Sequence, residues 1–295
     1  MKQHSKLATF FIICSLVFLI GLICTVAGLA TGGKNNIEKL ADHYDWFQDS
    51  PGERGITNYK VEDFHGIEAT GDVDLWILGT GYYGDSSWME KEGLLEPTEM
   101  DNIGTNQVTV ICGDRMDQPE VSVEEGILKI NSGSVDFKGI NLNLDEATFY
   151  PKILVYVPDQ VLETMNVSGQ TGDVNIMGVS WEKADIQLNT GDVVFEKVDS
   201  RGLTINTDTG DLSLKGTFTG ATAIHTETGD LDLETGLTRE SYHLTARSST
   251  GDVKITEGKK TVKKAEDGKE ISQKGGPNAL TAVTDTGDIA LNFLK

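Results

Sequence analysis

Cysteine is almost absent from this 295-residue chain, which has three. Cys14 and Cys24 fall inside a charge-free run, leaving Cys112 alone in the remainder. No intramolecular disulfide can staple that remainder, so its fold rests on packing and hydrogen bonds. Cys112 ends the apolar run Val108–Cys112 and reads as a small buried hydrophobe rather than a reactive thiol. Aromatic residues make up only 7% of the chain, which suits a thin repetitive core better than a bulky one. The five histidines, at 4, 43, 65, 225 and 243, fall in no metal-ligand spacing. There is no Gly-x-Ser-x-Gly elbow and no phosphate-binding Gly-Lys-Thr/Ser loop. Basic residues are also scarce, 25 against 46 acidic, for a net charge of −21. That balance disfavours nucleic acid and anionic lipid as whole-surface partners. With so many acids, neighbouring carboxylates are unavoidable and do not by themselves signal glycosidase chemistry. No cofactor is implied, and the expected class is non-enzymatic.

What the chain does have is a repeat. Thr-Gly-Asp followed by Val, Leu or Ile begins at Thr171, Thr190, Thr209, Thr228, Thr250 and Thr286, at spacings of 19, 19, 19, 22 and 36 residues. A period near 20 is the mark of stacked units that bury apolar surface only against their neighbours. Before the turn, alternate residues are largely apolar, as in Ala184, Ile186 and Leu188 or Leu203 and Ile205. After it, the third and fifth residues beyond the Thr are apolar in all six copies, from Val174 and Ile176 to Ile289 and Leu291. Alternation is the strand signature. The parity changes across the Gly, so one extra residue sits at a corner for which Gly supplies positive φ. Units of this length leave no room for a strand plus a helix, and their Thr, Gly and Asp content disfavours helix. The expected fold is all-β, a single-stranded β-solenoid of ~20-residue coils, preceded by an N-terminal transmembrane helix.

Stacking would align Asp173, Asp192, Asp211, Asp230, Asp252 and Asp288 as an external ladder of like charges about 4.8 Å apart. Neighbours would repel by about 0.9 kcal/mol in water. A carboxylate accepting a turn N–H gains about 0.5–1.5 kcal/mol, so structural capping can support the ladder. The alternative is a column of Ca²⁺ ions, which needs several oxygen ligands per ion and usually two Gly-rich turns per coil.

Residues 7–33 carry no charge and are bracketed by Lys6 and Lys34. About 20 apolar residues suffice to cross the hydrocarbon core, so residues 7–33 are expected to be a transmembrane anchor. Lys2 and Lys6 would keep residues 1–6 cytoplasmic and place the rest outside the cell. The rival is a cleavable signal peptide with Gly28-Leu29-Ala30 as its small-x-small site, although the run is longer than a typical signal core. Residues 34–60 read as a stalk or linker. Residues 61–160 read as an N-terminal β region, with strands at 108–112, 121–123, 127–130, 140–144 and 153–157, that caps the solenoid. An early Thr70-Gly71-Asp72-Val73 there is out of period. Residues 161–295 are the repeat solenoid.

Two insertions interrupt the pattern. Residues 79–97 hold Tyr82, Tyr83 and Trp88 in a Gly-rich loop, which is either a stacking surface for a partner or a loop folded over its own aromatics. Residues 258–277 carry Lys259, Lys260, Lys263, Lys264, Lys269 and Lys274 around Asp267-Gly268, and read as a protruding basic β-hairpin. Lys259, Lys260, Lys263 and Lys264 are candidate contacts for anionic wall polymer or lipid headgroups, against the plainer reading of a solvated hairpin.

Ile153-Leu-Val-Tyr-Val-Pro158, Met165-Asn-Val-Ser-Gly169 and the following Thr-Gly-Asp-Val-Asn-Ile176 resemble a bacterial family of extracellular β-strand-repeat proteins of unknown function, labelled putative adhesins. The resemblance covers roughly residues 61–295, and the apolar N-terminal run is similar to Gram-positive members. It implies a β-solenoid at the cell envelope with no catalytic residues to carry over. Three functions are therefore expected in descending order. The first is a membrane-anchored, non-catalytic surface protein contacting wall polymer or an envelope protein. The second is an accessory or regulator of an envelope-stress system acting through a membrane partner. The third is a carbohydrate-active enzyme on a β-helix scaffold.

Overall fold

The computed structural model describes residues 55–83, 104–112, 118–132 and 151–294. The chain divides into two compact units, and every described residue belongs to the one formed by residues 53–136 and 149–295. The expected anchor at 7–33, the strand at 140–144 and Trp88 lie outside the described residues. Among the described residues, no helix is long and apolar enough to cross a membrane.

Among the described residues, nineteen strands join one sheet. Its regular part is parallel. β8 (Val161–Thr171), β10 (Ser180–Thr190), and the later halves of β11 (Val193–Thr209) and β12 (Leu212–Thr228) stack in register on one side of the corner. β9 (Val174–Met177), the earlier halves of β11 and β12, and β13 (Leu231–Thr238) stack on the other. At both sides of the corner the register steps by the repeat itself, pairing Ile186 with Ile205 before it and Phe195 with Leu214 after it. The alternating apolar residues therefore form internal columns, and Ile176, Ile186, Phe195, Ile205, Leu214 and Leu233 are fully or almost fully buried. Trp181 closes a further side, with its ring edge on Phe195 and its Nε1–H donating to the Gly202 carbonyl at 3.2 Å.

The stacking order departs from the sequence order expected for a simple solenoid. β14 (Tyr242–Thr250) and β15 (Val253–Glu257), which turn at Thr250, do not lie on the Thr228 rung. That place is taken by β18 (Asn278–Thr286) and β19 (Ile289–Leu294), which turn at Thr286. β18 pairs with β12 and β14, and β19 pairs with β13 and β15, all in parallel. The corners therefore stack as 171, 190, 209, 228, 286, 250.

The physical reason lies in a connector and a cap. The Thr228-to-Thr250 spacing exceeds the repeat by three residues, and a 3₁₀ turn at Arg239–Ser241 lies in it. Three 3₁₀ residues rise about 6 Å, close to one additional rung of about 4.8 Å. Arg239 also ties this connector to what lies beyond it, through Glu257 and Gln273. Beyond β15, β16 (Lys260–Ala265) pairs antiparallel with it, and β17 (Glu270–Gln273) pairs antiparallel with β14. The 258–277 hairpin expected to protrude thus lies along the last rung, so the rung turning at Thr250 must be terminal.

The opposite end is closed in the same manner. β2 (Gly66–Thr70) and β3 (Asp74–Leu78) form the first parallel rung against β8 and β9. β6 (Ile127–Asn131) extends one side in parallel and β5 (Glu120–Glu124) closes it antiparallel. On the other side β7 (Lys152–Tyr156) is parallel, followed by antiparallel β4 (Gln107–Cys112) and β1 (Gly55–Lys60). Among the described residues the first strand starts at Gly55, inside the stretch 34–60 expected to be a linker. The early Thr-Gly-Asp at 70–72 lies on this first rung, but Thr70 aligns with Ser168 rather than Thr171.

Candidate functional site

The corner column is the most regular array of polar groups on the molecule. Its glycines at 172, 191, 210, 229, 287 and 251 have φ between +119° and +156°. They also have no space for a side chain. A Cβ on Gly210 would lie 2.0 Å from the Gly191 carbonyl oxygen, and one on Gly229 2.0 Å from that of Gly210. Each corner rests directly on the one below, a second demand for Gly beside its conformational freedom.

The aspartates beside them are joined rung to rung. Asp173 Oδ1 accepts the backbone N–H of Asp192 at 2.9 Å, Asp192 that of Asp211 at 2.8 Å, and Asp211 that of Asp230 at 2.8 Å. Asp230 then accepts from Asp288 at 2.7 Å, and Asp288 from Asp252 at 2.8 Å. The acceptor therefore serves the neighbouring rung and not its own turn. Asp74 occupies the equivalent place at the beginning, accepting the Asp173 N–H at 3.1 Å. Burial pushes the Asp74 carboxyl above its ordinary value, offset in part by this backbone donor. At the far end, Asp252 has no further rung beside it among the described residues. Its Oδ2 pairs with Lys264 Nζ at 2.7 Å, and Asp267 from the hairpin accepts the Gly251 N–H at 2.8 Å. The cap thus supplies with side chains what an additional rung would supply with backbone.

Among the described residues, no group of three or more His, Cys, Asp or Glu is placed to hold a metal ion. In the aspartates considered for Ca²⁺, at 173, 192, 211, 230 and 288, one oxygen is committed to a backbone donor.

Of the candidate contact residues, Lys259, Lys260 and Lys264 are exposed and Lys263 is half-buried on β16. Tyr82 and Tyr83 sit on a short helix, α1 (Thr80–Tyr83). Tyr82 covers Gly178 and carries Lys197 Nζ 5.4 Å from its ring centre. Tyr83 donates to the Val157 carbonyl at 3.1 Å and sets its ring edge-on to Tyr156. Both are therefore packed on the body of the stack. Further along, Glu196, Lys215 and Glu234 line a groove of about 620 Å³ that also includes Phe293 and Leu294. Lys215 lies 3.8 Å from Glu196, and the signs alternate from rung to rung. Arg239 and Asp74 escaped the sequence reading, although the 22-residue spacing was a signal for the first.

These features define a class: an all-β, parallel solenoid-like stack closed at each end by antiparallel strands. The Toastrack DUF4097 family model matches residues 67–292, and the chain belongs to that family. No curated protein matches the sequence. Similar solved structures include a putative cell adhesion protein from Clostridium sporogenes, 12% identical, with a TM-score of 0.42 over 82% of this chain and 99% of that one. A putative adhesin from Bacteroides fragilis is 14% identical, with a TM-score of 0.41 over 83% of this chain and all of the other. A putative lipid binding protein from Parabacteroides distasonis is 12% identical, with a TM-score of 0.21 over 84% and 100%.

Proposed function

We propose that this chain is a non-catalytic, outward-facing envelope protein, held in the membrane by residues 7–33, whose rigid capped stack makes contacts with wall polymer or another envelope component. One observation carries this reading. The repeated carboxylates, the most conspicuous functional groups on the chain, are engaged in joining rungs and closing the end. A scaffold so committed contributes shape and surface rather than a reacting group. The exposed lysines of the cap give an acidic body one cationic end suited to anionic polymer. The test is binding of residues 34–295 to purified wall fractions and to anionic vesicles, with and without Ca²⁺. A variant with Lys259, Lys260 and Lys263 changed to Gln leaves the Lys264–Asp252 pair intact. Saturable wall binding weakened in that variant is the expected result. Absence of binding to every surface overturns this reading and favours action through a membrane protein partner.

A further inference from the structure

The rung formed by residues 278–294 is held on both sides by segments remote from it in sequence. Its β18 pairs with Ala221–Thr228 on one side and Tyr242–Thr250 on the other, and β19 is flanked in the same way. The slot it fills is set by other parts of the chain. The connector Arg239–Ser241 carries the main chain past one rung, so the walls are spaced for an insert, about 9.6 Å apart. Arg239 fastens this connector to Glu257 and Gln273, neither of which belongs to the inserted rung.

The contacts that hold the insert are those every rung makes. Gly229 N–H donates to the Thr286 carbonyl at 2.9 Å, and Gly287 N–H to that of Thr250 at 2.9 Å. Asp230 and Asp288 accept across the two seams as their counterparts do elsewhere. Ile289 and Leu291 fill apolar columns shared with the adjoining rungs, Leu280 lies buried between Thr222 and Leu244, and Phe293 lies against Tyr242 at 5.5 Å between ring centres. The chain enters the slot through Lys274-Gly275-Gly276-Pro277, which crosses the connector. Gly276 N–H donates to the Glu240 carbonyl at 2.7 Å. Asn278 bridges the walls, donating to the Ser241 carbonyl at 3.1 Å and accepting the Gly220 N–H at 2.9 Å.

We infer that residues 278–294 are an exchangeable element, and that the slot between the Thr228 and Thr250 rungs is a site for the same rung of a second copy of this chain. Both walls precede the insert in sequence, so a stage exists in which two strand edges face an empty rung. An unpaired edge is a template for pairing in trans. Every interaction across the seams is reproduced when two copies exchange rungs, and only the 274–277 crossing changes its path. Exchange of an identical element is a low-cost route to a dimer.

The experiment uses the full chain, with Cys14 and Cys24 changed to Ala, as two differently tagged copies expressed together. Ala223 and Thr281 are exposed register partners across the seam, whereas Ala223 and Thr204 are partners within the part that does not exchange. One copy carries Ala223→Cys and the other Thr281→Cys, and a short bis-maleimide reports their proximity. The expected result is roughly fivefold or more heterodimer over the control pair Ala223→Cys with Thr204→Cys. Cross-linking no greater than the control, while Ala223→Cys and Thr281→Cys in one chain join within that chain, overturns the proposal. A second measurement removes Gly275 and Gly276, which shortens the crossing and blocks self-insertion. Dimers with residues 278–294 still resistant to protease are expected, and a protease-resistant monomer overturns the proposal.

Discussion

The rungs that turn at Thr171, Thr190, Thr209 and Thr228 follow one another in sequence, whereas those at Thr250 and Thr286 exchange places. The two groups share the same corner, the same columns and the same seam hydrogen bonds. What separates them is a three-residue connector and a hairpin cap. Local repeat chemistry makes any rung fit any other, so stacking order falls to the connections, which set how far the chain must climb and which rung must be last.

Deleting Arg239–Ser241 tests this most severely. At a 19-residue spacing the Thr250 rung would close on the Thr228 rung and expel residues 278–294. Leu280, Ile289, Leu291 and Phe293 would lose their burial, at a cost above about 5 kcal/mol. Limited proteolysis should then cut within 278–294, and an intact segment would show that the cap alone dictates the order.

Gly210→Ala strikes what the two groups share. It combines a φ of +156° with a Cβ 2.0 Å from a carbonyl oxygen and should cost about 4 kcal/mol in denaturant unfolding. Gly268→Ala in the cap turn has a φ of +71° and no atom nearer than 3.9 Å, so about 1 kcal/mol is expected. Equal losses at the two sites would contradict the stacked-corner explanation.

Alkali acts on buried tyrosines at both ends. Tyr156, on β7 at the first end, is fully buried and its hydroxyl is pushed up to about 12, chiefly by burial. The Thr109 hydroxyl offsets a part of this, but it is itself engaged with Asn58 at 2.6 Å. An unfolded tyrosine ionises near 10, so between these values the native state holds the additional proton and stability falls as pH rises. The contribution is complete below pH 10 and amounts to about 3 kcal/mol at its loss. Tyr242, near the other end, shifts in the same direction by burial, and its hydroxyl donates to the Phe218 carbonyl at 2.7 Å. Stability followed from pH 9 to 12 should decline in the native chain and decline less in Tyr156→Phe.

The ladder gives a finer contrast. Asp211→Ala removes an acceptor from a neighbouring backbone N–H and should cost about 1–2 kcal/mol, while Asp211→Asn keeps an acceptor and should cost less. Asp252→Ala loses an exposed ion pair with Lys264, for less than about 1 kcal/mol. If Asp252→Ala proved the more damaging, the terminal pair would outweigh the seam bond. One further effect has the opposite sign. Thr226 Oγ1 is buried without a partner, whereas its counterparts Ser248 and Thr284 donate to backbone carbonyls at 2.7 and 3.2 Å. Thr226→Val should raise stability by about 1 kcal/mol in the same unfolding assay.

Much of the fold was legible because a period of 19 residues and a change of parity at Gly are local properties, repeated until chance is excluded. Strands from Val108, Ile127 and Ile153 were equally plain from alternation and apolar runs. The candidate site was less so. The sequence marks the aspartates as acceptors, but their donors lie one rung away, and sequence does not say which rung is the neighbour. The basic hairpin read as protruding because nothing local marks the last rung that it covers.

The sequence by itself determined that the chain is β, where each rung turns, which residues face inward and that no disulfide can brace the part beyond residue 33, which holds Cys112 alone. Only the tertiary structure decided the order of the rungs, the partner of each aspartate and the burial of Asp74 and Tyr156. Alternation and turn chemistry act over a few residues, whereas stacking order follows from the reach of connections between segments 36 and 58 residues apart.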